Sequence, residues 1–166
     1  MVQTLKTAWI ATFFAVLLWS AIDPKDYPTW VLEAGPAVIG FIVLVKTRAS
    51  FPLTPLVYRL ILLHCVVLMI GAHYTYAEVP LFDTIKPWFG FERNNYDKSG
   101  HFLQGFVPAM IAREILIRNA IVASTRRRDF FCVWFCLAFS AFYELIDWAV
   151  AIISGTGAEA FLGTQG

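Results

Sequence analysis

Five long apolar stretches, separated by breaks that are mostly charged, constrain the fold of this sequence more than any other feature. They span residues 7–22, 30–45, 56–75, 100–117 and 130–153. As α-helices they would be about 24–36 Å long, close to the thickness of the hydrocarbon core of a bilayer. Lipid offers no hydrogen bonds, so a spanning segment must pair its own backbone groups. The sequence therefore predicts an all-α protein, a polytopic bundle of five transmembrane helices forming one domain over residues 1–166.

The composition supports a membrane protein and excludes several other classes. Of the 166 residues, 58% are hydrophobic and 15% are charged, and a soluble domain of this size cannot hide so much apolar surface. The net charge of +1 provides no basic field for nucleic acid, so the lipid bilayer is the expected partner. The three cysteines all lie within the apolar stretches, which implies no disulfide framework. No phosphate-binding glycine loop or nucleophile elbow points to soluble-enzyme chemistry.

The distribution of basic residues predicts an orientation. Lys6 precedes the first stretch, Lys46 and Arg48 follow the second, and the run 126–128 of three arginines lies between the fourth and fifth. These segments alternate in phase, so all of them can lie on one side of the membrane. The positive-inside rule places that side, with the N-terminus, in the cytoplasm.

Polar residues recur at one depth in this arrangement, in the outer half of the membrane or at its rim. They come from four different stretches and from the C-terminal tail. The set comprises Glu33, His73, Asp97, Lys98, His101, Gln104, Glu144, Asp147 and Glu159. A carboxylate facing lipid costs a few kcal/mol or more, so these side chains are expected to face one another in an outer pocket.

Helical phase sharpens this expectation. Asp97, His101 and Gln104 follow i, i+4, i+7 spacing on one helix face, and Glu144 and Asp147 share a face of the last helix. Two such faces in contact would present carboxylate and imidazole groups suited to a divalent metal ion or to acid–base chemistry.

The leading hypothesis is an outer-facing pocket that binds a metal ion or the polar head group of a lipid or other small ligand, and it assigns these residues separate roles. The metal ligands would be Asp97, His101, Glu144 and Asp147. In an enzyme, His101 would act as base or ligand and Glu144 and Asp147 as ligands or acids, in metal-assisted or acid–base hydrolysis of a lipid-linked substrate. The other pocket residues would be Glu33, His73, Lys98, Gln104 and Glu159.

Three alternatives stay open at this point. Buried polar residues often only join helices by hydrogen bonds. The same residues would also suit a small transporter or proton-coupled carrier, although no inverted repeat is visible. A non-catalytic partner subunit or a homo-oligomer is equally compatible with the sequence. At the cytoplasmic end, Arg59 and Glu114 fall at matching depths and predict an internal ion pair.

Three segments of this sequence resemble the YjdF family of bacterial inner-membrane proteins. They are Phe91–Phe106, which contains Asp97, His101 and Gln104; Phe142–Trp148, which contains Glu144 and Asp147; and the C-terminal Ala158–Gly166. The resemblance implies a multi-pass protein of the bacterial inner membrane and assigns no reaction. It also implies a further helical element after Gly166. A short run around Asp97 and His101 resembles a signature of VanZ-like membrane proteins.

Overall fold

The computed structural model describes residues 3–76 and 78–154, and helices account for most of them. The long helices are α1 (Gln3–Ser20), α2 (Tyr27–Thr47), α3 (Pro55–Tyr74), α5 (Tyr96–Arg118) and α6 (Thr125–Ser154), with the short α4 (Pro80–Ile85) and a 3₁₀ turn (Lys86–Phe89) between α3 and α5. The described part of the chain contains no β-strand. The prediction of an all-α fold is confirmed, and each apolar stretch lies within or closely overlaps one long helix.

Length and apolarity separate these helices into two groups. Within the described residues, α2, α3 and the portion of α6 at Thr125–Val150 are long and apolar enough to cross a membrane. Helix α1 is apolar from Lys6 to Ser20 but shorter, and α5 carries Asp97 and Glu114 within its length. Three membrane-crossing helices are therefore supported directly, and the count of five spans stays a prediction.

Helix α3 is the centre of the bundle. It packs against α1, α2 and α5, whereas α6 packs mainly against α5. The core includes Phe13, Met69 and Val107, each about 1% exposed or less, together with other buried residues such as Trp9 and Tyr58. Because α2 packs against α3 and α6 packs against α5, without a major contact between α2 and α6, a gap opens between these two helices.

Helix α2 begins with a complete N-terminal cap. Asp26 lies in extended conformation and its carboxylate accepts hydrogen bonds from the backbone N–H and the hydroxyl of Thr29, at 2.8 and 2.5 Å. Proline at the next position but one has no N–H to satisfy, so it suits the first helical turn. These bonds lower the pKa of the Asp26 carboxyl, because they stabilise its charged form. The cap fixes where α2 starts.

The connection between α3 and α5 is folded back onto the bundle. The side chain of Asn94 donates to the carbonyl of Val79 at 2.9 Å, and both residues are buried. The hydroxyl of Tyr96 donates to the carbonyl of Val67 at 2.9 Å, and its ring packs edge-on against Phe82. These contacts hold the start of α5 against the end of α3.

The predicted ion pair between Arg59 and Glu114 is wrong. Glu114 is 8% exposed and instead accepts hydrogen bonds from the backbone N–H and the hydroxyl of Thr54, at 2.8 and 2.7 Å, and from Arg118 at 3.0 Å. Thr54 is the residue that precedes α3, so a carboxylate of α5 accepts hydrogen bonds from the groups at the start of another helix. Matching depth on two helices did not reveal this, because the partner lies in a loop.

Candidate functional site

A cavity of about 860 Å³ fills the gap between α2 and α6. It lies at the end of the bundle where α2 and α5 begin and α3 ends, and we call it the cleft. Apolar side chains of α2 and α6, including Leu32, Ile39, Phe139 and Phe142, form its two walls. The polar residues that line it are Glu33, Thr75, Tyr76, Asp97, His101, Gln104, Tyr143 and Glu144. An open space with apolar walls and a polar lining at one end suits a molecule that has both kinds of surface.

His101 and Glu144 meet at the contact between α5 and α6. The imidazole Nδ1 and a carboxylate oxygen lie 3.1 Å apart, which is hydrogen-bond distance, and both side chains are about half exposed. The two helices run antiparallel, so a residue one turn into α5 faces a residue in the last third of α6. An imidazole and a carboxylate at hydrogen-bond distance are groups that general acid–base chemistry uses.

Gly105 brings these two helices together. A Cβ atom on this residue would lie 2.7 Å from the sulfur of Cys136 and 3.1 Å from the hydroxyl oxygen of Ser140. A Cβ here would require the side chain of Cys136 or Ser140 to move, so a glycine suits the close approach of α6 to α5. The close approach lies one turn below the His101–Glu144 pair and fixes the spacing of the pair.

Gln104 is the most deeply placed polar residue of the cleft. Its side chain is 7% exposed, and its amide nitrogen has no hydrogen-bond partner among the residues that the structure describes. A buried amide N–H left without an acceptor costs about 1–3 kcal/mol. The amide is therefore an unused donor on a residue that lines the cleft.

Asp97 lines the cleft but is engaged by its neighbours. One carboxylate oxygen forms an ion pair with Arg93, and the other accepts from the backbone N–H of Lys98 at 2.8 Å. The carboxylate therefore orients the first turn of α5 and already has a cationic partner. A helix start is a favourable position for such an anion.

The four predicted metal ligands do not form a cluster among the described side chains. Of Asp97, His101, Glu144 and Asp147, the structure brings together His101 and Glu144, while Asp97 pairs with Arg93. Within residues 3–76 and 78–154, excluding the side chain of Asp147, no group of three His, Cys, Asp or Glu residues is placed to hold a metal ion. The side chain of Asp147 and all of Glu159 lie outside the described residues. A metal site is therefore not supported by the structure.

The remaining predicted pocket residues divide between two locations. Glu33 lines the cleft beside Gly35 and Pro36 of α2, as predicted. His73 does not: its Nδ1 lies 3.1 Å from the carbonyl oxygen of Ser20, and its ring packs on Trp19 at the junction of α1 and α3.

Lys98 is also misplaced by the prediction. Its side chain is exposed and is not among the described residues that line the cleft. His73 and Lys98 lie at the same end of the bundle as the cleft, but position along a helix does not give the direction in which a side chain points.

Sequence reasoning missed Tyr76, which forms part of the cleft between α3 and α5. Thr75 and Tyr76 both adopt left-handed backbone conformation, with φ of 58° and 47°. The Tyr76 ring lies against Gly71 and Gly100, and a Cβ on Gly100 would come within 2.8 Å of it. The only sequence signal was a pair of glycines in neighbouring apolar stretches, which is too common to identify a contact.

The fold and the cleft define a helical membrane protein with a mixed polar and apolar site at one end of its bundle. Comparison with known proteins agrees with this class. A family model described as "Predicted membrane protein (DUF2238)" matches residues 5–166, and the chain belongs to this family.

The chain is similar to a curated bacterial protein over most of its length. It is 46% identical over 155 residues to the "Inner membrane protein YjdF" of Escherichia coli (strain K12), an alignment that covers 93% of this chain and 74% of the relative. The resemblance to the YjdF family is confirmed. No solved structure matches the chain. The similarity to VanZ-like proteins stays a prediction.

Proposed function

We propose that the cleft binds the polar head group of a membrane lipid on the outer side of the bacterial inner membrane. The observation that carries this proposal is the buried amide of Gln104, which lines a large cavity and has no hydrogen-bond partner among the described residues. An amide donor kept in this position needs an acceptor, such as the phosphate or ester oxygen of a head group. The basic residues at the opposite end of the bundle support this orientation, and the inner-membrane relative supports this location.

The His101–Glu144 pair supplies the complementary group. Its carboxylate can accept hydrogen bonds from a hydroxyl or ammonium group of the ligand, and the imidazole lies 3.1 Å from that carboxylate. A head group that carries an acceptor and a donor a few atoms apart would engage Gln104 and Glu144 at once. Phosphatidylethanolamine is a lipid with this chemistry.

The apolar walls suit the acyl chains of the same molecule. Side chains of α2 and α6 face each other across the cleft, and these two helices lack a major direct contact. A lipid therefore has a lateral route from the bilayer that leaves its chains in apolar surroundings while its head group reaches the polar lining. A soluble polar ligand would gain nothing from these walls.

The test is binding of short-chain phosphatidylethanolamine to the purified chain in detergent, compared with phosphatidylcholine, which has no N–H donor. We expect phosphatidylethanolamine to bind more tightly, and Q104L and E144Q each to weaken it by about 10–100-fold, the effect of removing one hydrogen bond to a charged group. K98Q is the matched control, because Lys98 is exposed beside the cleft without lining it. Equal binding of the two lipids, or unchanged binding in both cleft variants, would refute the proposal.

Titration with Zn²⁺ separates the head-group proposal from the metal hypothesis. If the wild-type chain binds Zn²⁺ stoichiometrically at low micromolar concentration and H101A abolishes this, then a metal site including Asp147 or Glu159 would replace the head-group site. We expect no such stoichiometric binding. Among the described residues, Glu144 is the carboxylate that contacts His101, and no group of three possible ligands forms there.

A further inference from the structure

A second and smaller cavity lies at the opposite end of the bundle, between α1 and α2. Its volume is about 50 Å³, and its cationic lining comes from Lys6 in α1 and from Arg48, which directly follows α2. Trp9, Phe41 and Tyr58 give it an aromatic lining. We call it the basic pocket.

The polar groups of the aromatic lining are engaged in hydrogen bonds, including one that the Tyr58 hydroxyl accepts from the backbone N–H of Leu53 at 3.4 Å. The indole N–H of Trp9 donates to the backbone carbonyl of Tyr58 at 2.8 Å, and the Trp9 and Phe41 rings stack with their centres 6.2 Å apart. Trp9 and Tyr58 are each 8% exposed. The groups available for recognition are therefore the ammonium of Lys6 and the guanidinium of Arg48.

These two cations have no acidic partner nearby. Among the described residues, no carboxylate lies within ion-pair distance of Lys6 or Arg48, although six other pairs form elsewhere in the bundle. Two cations from different segments that line one small cavity repel each other, and an anion placed between them would offset this repulsion. The pocket is thus electrostatically complementary to a single anionic group.

We propose that the basic pocket binds the phosphate of an anionic glycerophospholipid. The cavity is far too small for a whole lipid, so the acyl chains would lie outside it, in the bilayer, against the exposed side chains of Ile10 and Val45 that border it. Basic pockets between membrane helices are established binding sites for anionic head groups, and a guanidinium can form two parallel hydrogen bonds to a phosphate. The aromatic and aliphatic lining favours a lipid over free phosphate. This site is independent of the cleft, which lies at the other end of α2.

The experiment measures binding of dioctanoyl phosphatidylglycerol to the purified full chain by native mass spectrometry. In K6Q/R48Q we expect the affinity to fall roughly 30-fold, the combined effect of two cations near a membrane surface. The matched control K46Q/R59Q removes two exposed cations that do not line the pocket, and it should stay within about threefold of wild type. Equal losses in the two double variants would overturn the site in favour of general surface charge.

Three further measurements keep the proposal testable if K6Q/R48Q folds poorly. The charge-conserving K6R/R48K variant should retain phosphatidylglycerol binding, and its loss would contradict an electrostatic site. Zwitterionic phosphatidylcholine should bind at least tenfold more weakly to wild type, and equal binding of the two lipids would refute selection of an anionic head group. Inorganic phosphate at millimolar concentration should not displace the lipid; displacement would show that the pocket recognises free phosphate and not a lipid.

Discussion

Replacing Glu114 with alanine should destabilise the whole bundle. Its carboxylate is 8% exposed and accepts three hydrogen bonds, two from Thr54 at the start of α3 and one from Arg118 on its own helix. Hydrogen bonds between segments in membranes are worth about 0.6–1.7 kcal/mol each, so losing the two from Thr54 costs about 1–3.5 kcal/mol, and losing the partly exposed pair with Arg118 adds less than about 1 kcal/mol. The lost hydrogen bonds hold the start of α3, which packs against α1, α2 and α5.

The assay is unfolding in mixed micelles of SDS and a mild detergent, followed by circular dichroism. We expect E114A to unfold at a clearly lower SDS fraction, and E114Q to lie between it and wild type, because an amide oxygen can still accept from Thr54. R113Q is the matched control at the neighbouring position, since Arg113 is exposed and lies 3.9 Å from Asp129. It should change the free energy of unfolding by less than about 1 kcal/mol.

The reasoning would be refuted if E114A unfolded like wild type, or if R113Q cost as much as E114A. The first result would mean that Thr54 and Arg118 find water or other partners at no cost. The second would mean that removal of any charge at this end of the bundle, and not the hydrogen bonds of one carboxylate, determines stability.

Two further perturbations test the elements that position the cleft. G105A should destabilise the protein by about 1–3 kcal/mol and weaken phosphatidylethanolamine binding, because its Cβ would overlap Cys136. G40A is the control for stability, since a Cβ there meets nothing within 4 Å. Equal stability of the two variants would contradict the close helix contact. D26A should cost about 0.5–2 kcal/mol at neutral pH through loss of the α2 cap. Because its hydrogen bonds lower the Asp26 pKa below 3.8, the carboxylate's contribution to the free energy of unfolding is present above pH 3.8 and is lost as the pH falls through the lowered value. The free energies of unfolding of wild type and D26A should therefore differ less at pH 3 than at pH 7. A difference that persists or grows in acid would contradict this.

The sequence by itself determined the helical class and the pattern of helices. An apolar run that spans a bilayer pairs its backbone N–H and C=O groups by forming an α-helix. The helices could therefore be predicted without any tertiary information. It also placed His101 and Glu144 correctly, because helical periodicity and the antiparallel order of α5 and α6 put their faces at one depth. In the structure the His101 Nδ1 lies 3.1 Å from a carboxylate oxygen of Glu144.

Only the tertiary structure decided which of the polar residues share a site. His73 and Lys98 lie at the cleft end of the bundle but do not line the cleft, and Glu114 bonds to Thr54 in a loop and not to Arg59. These outcomes depend on the rotation of each helix about its axis and on loop geometry. Both are set by packing at positions such as Gly105, where the absence of one Cβ governs how closely two helices approach.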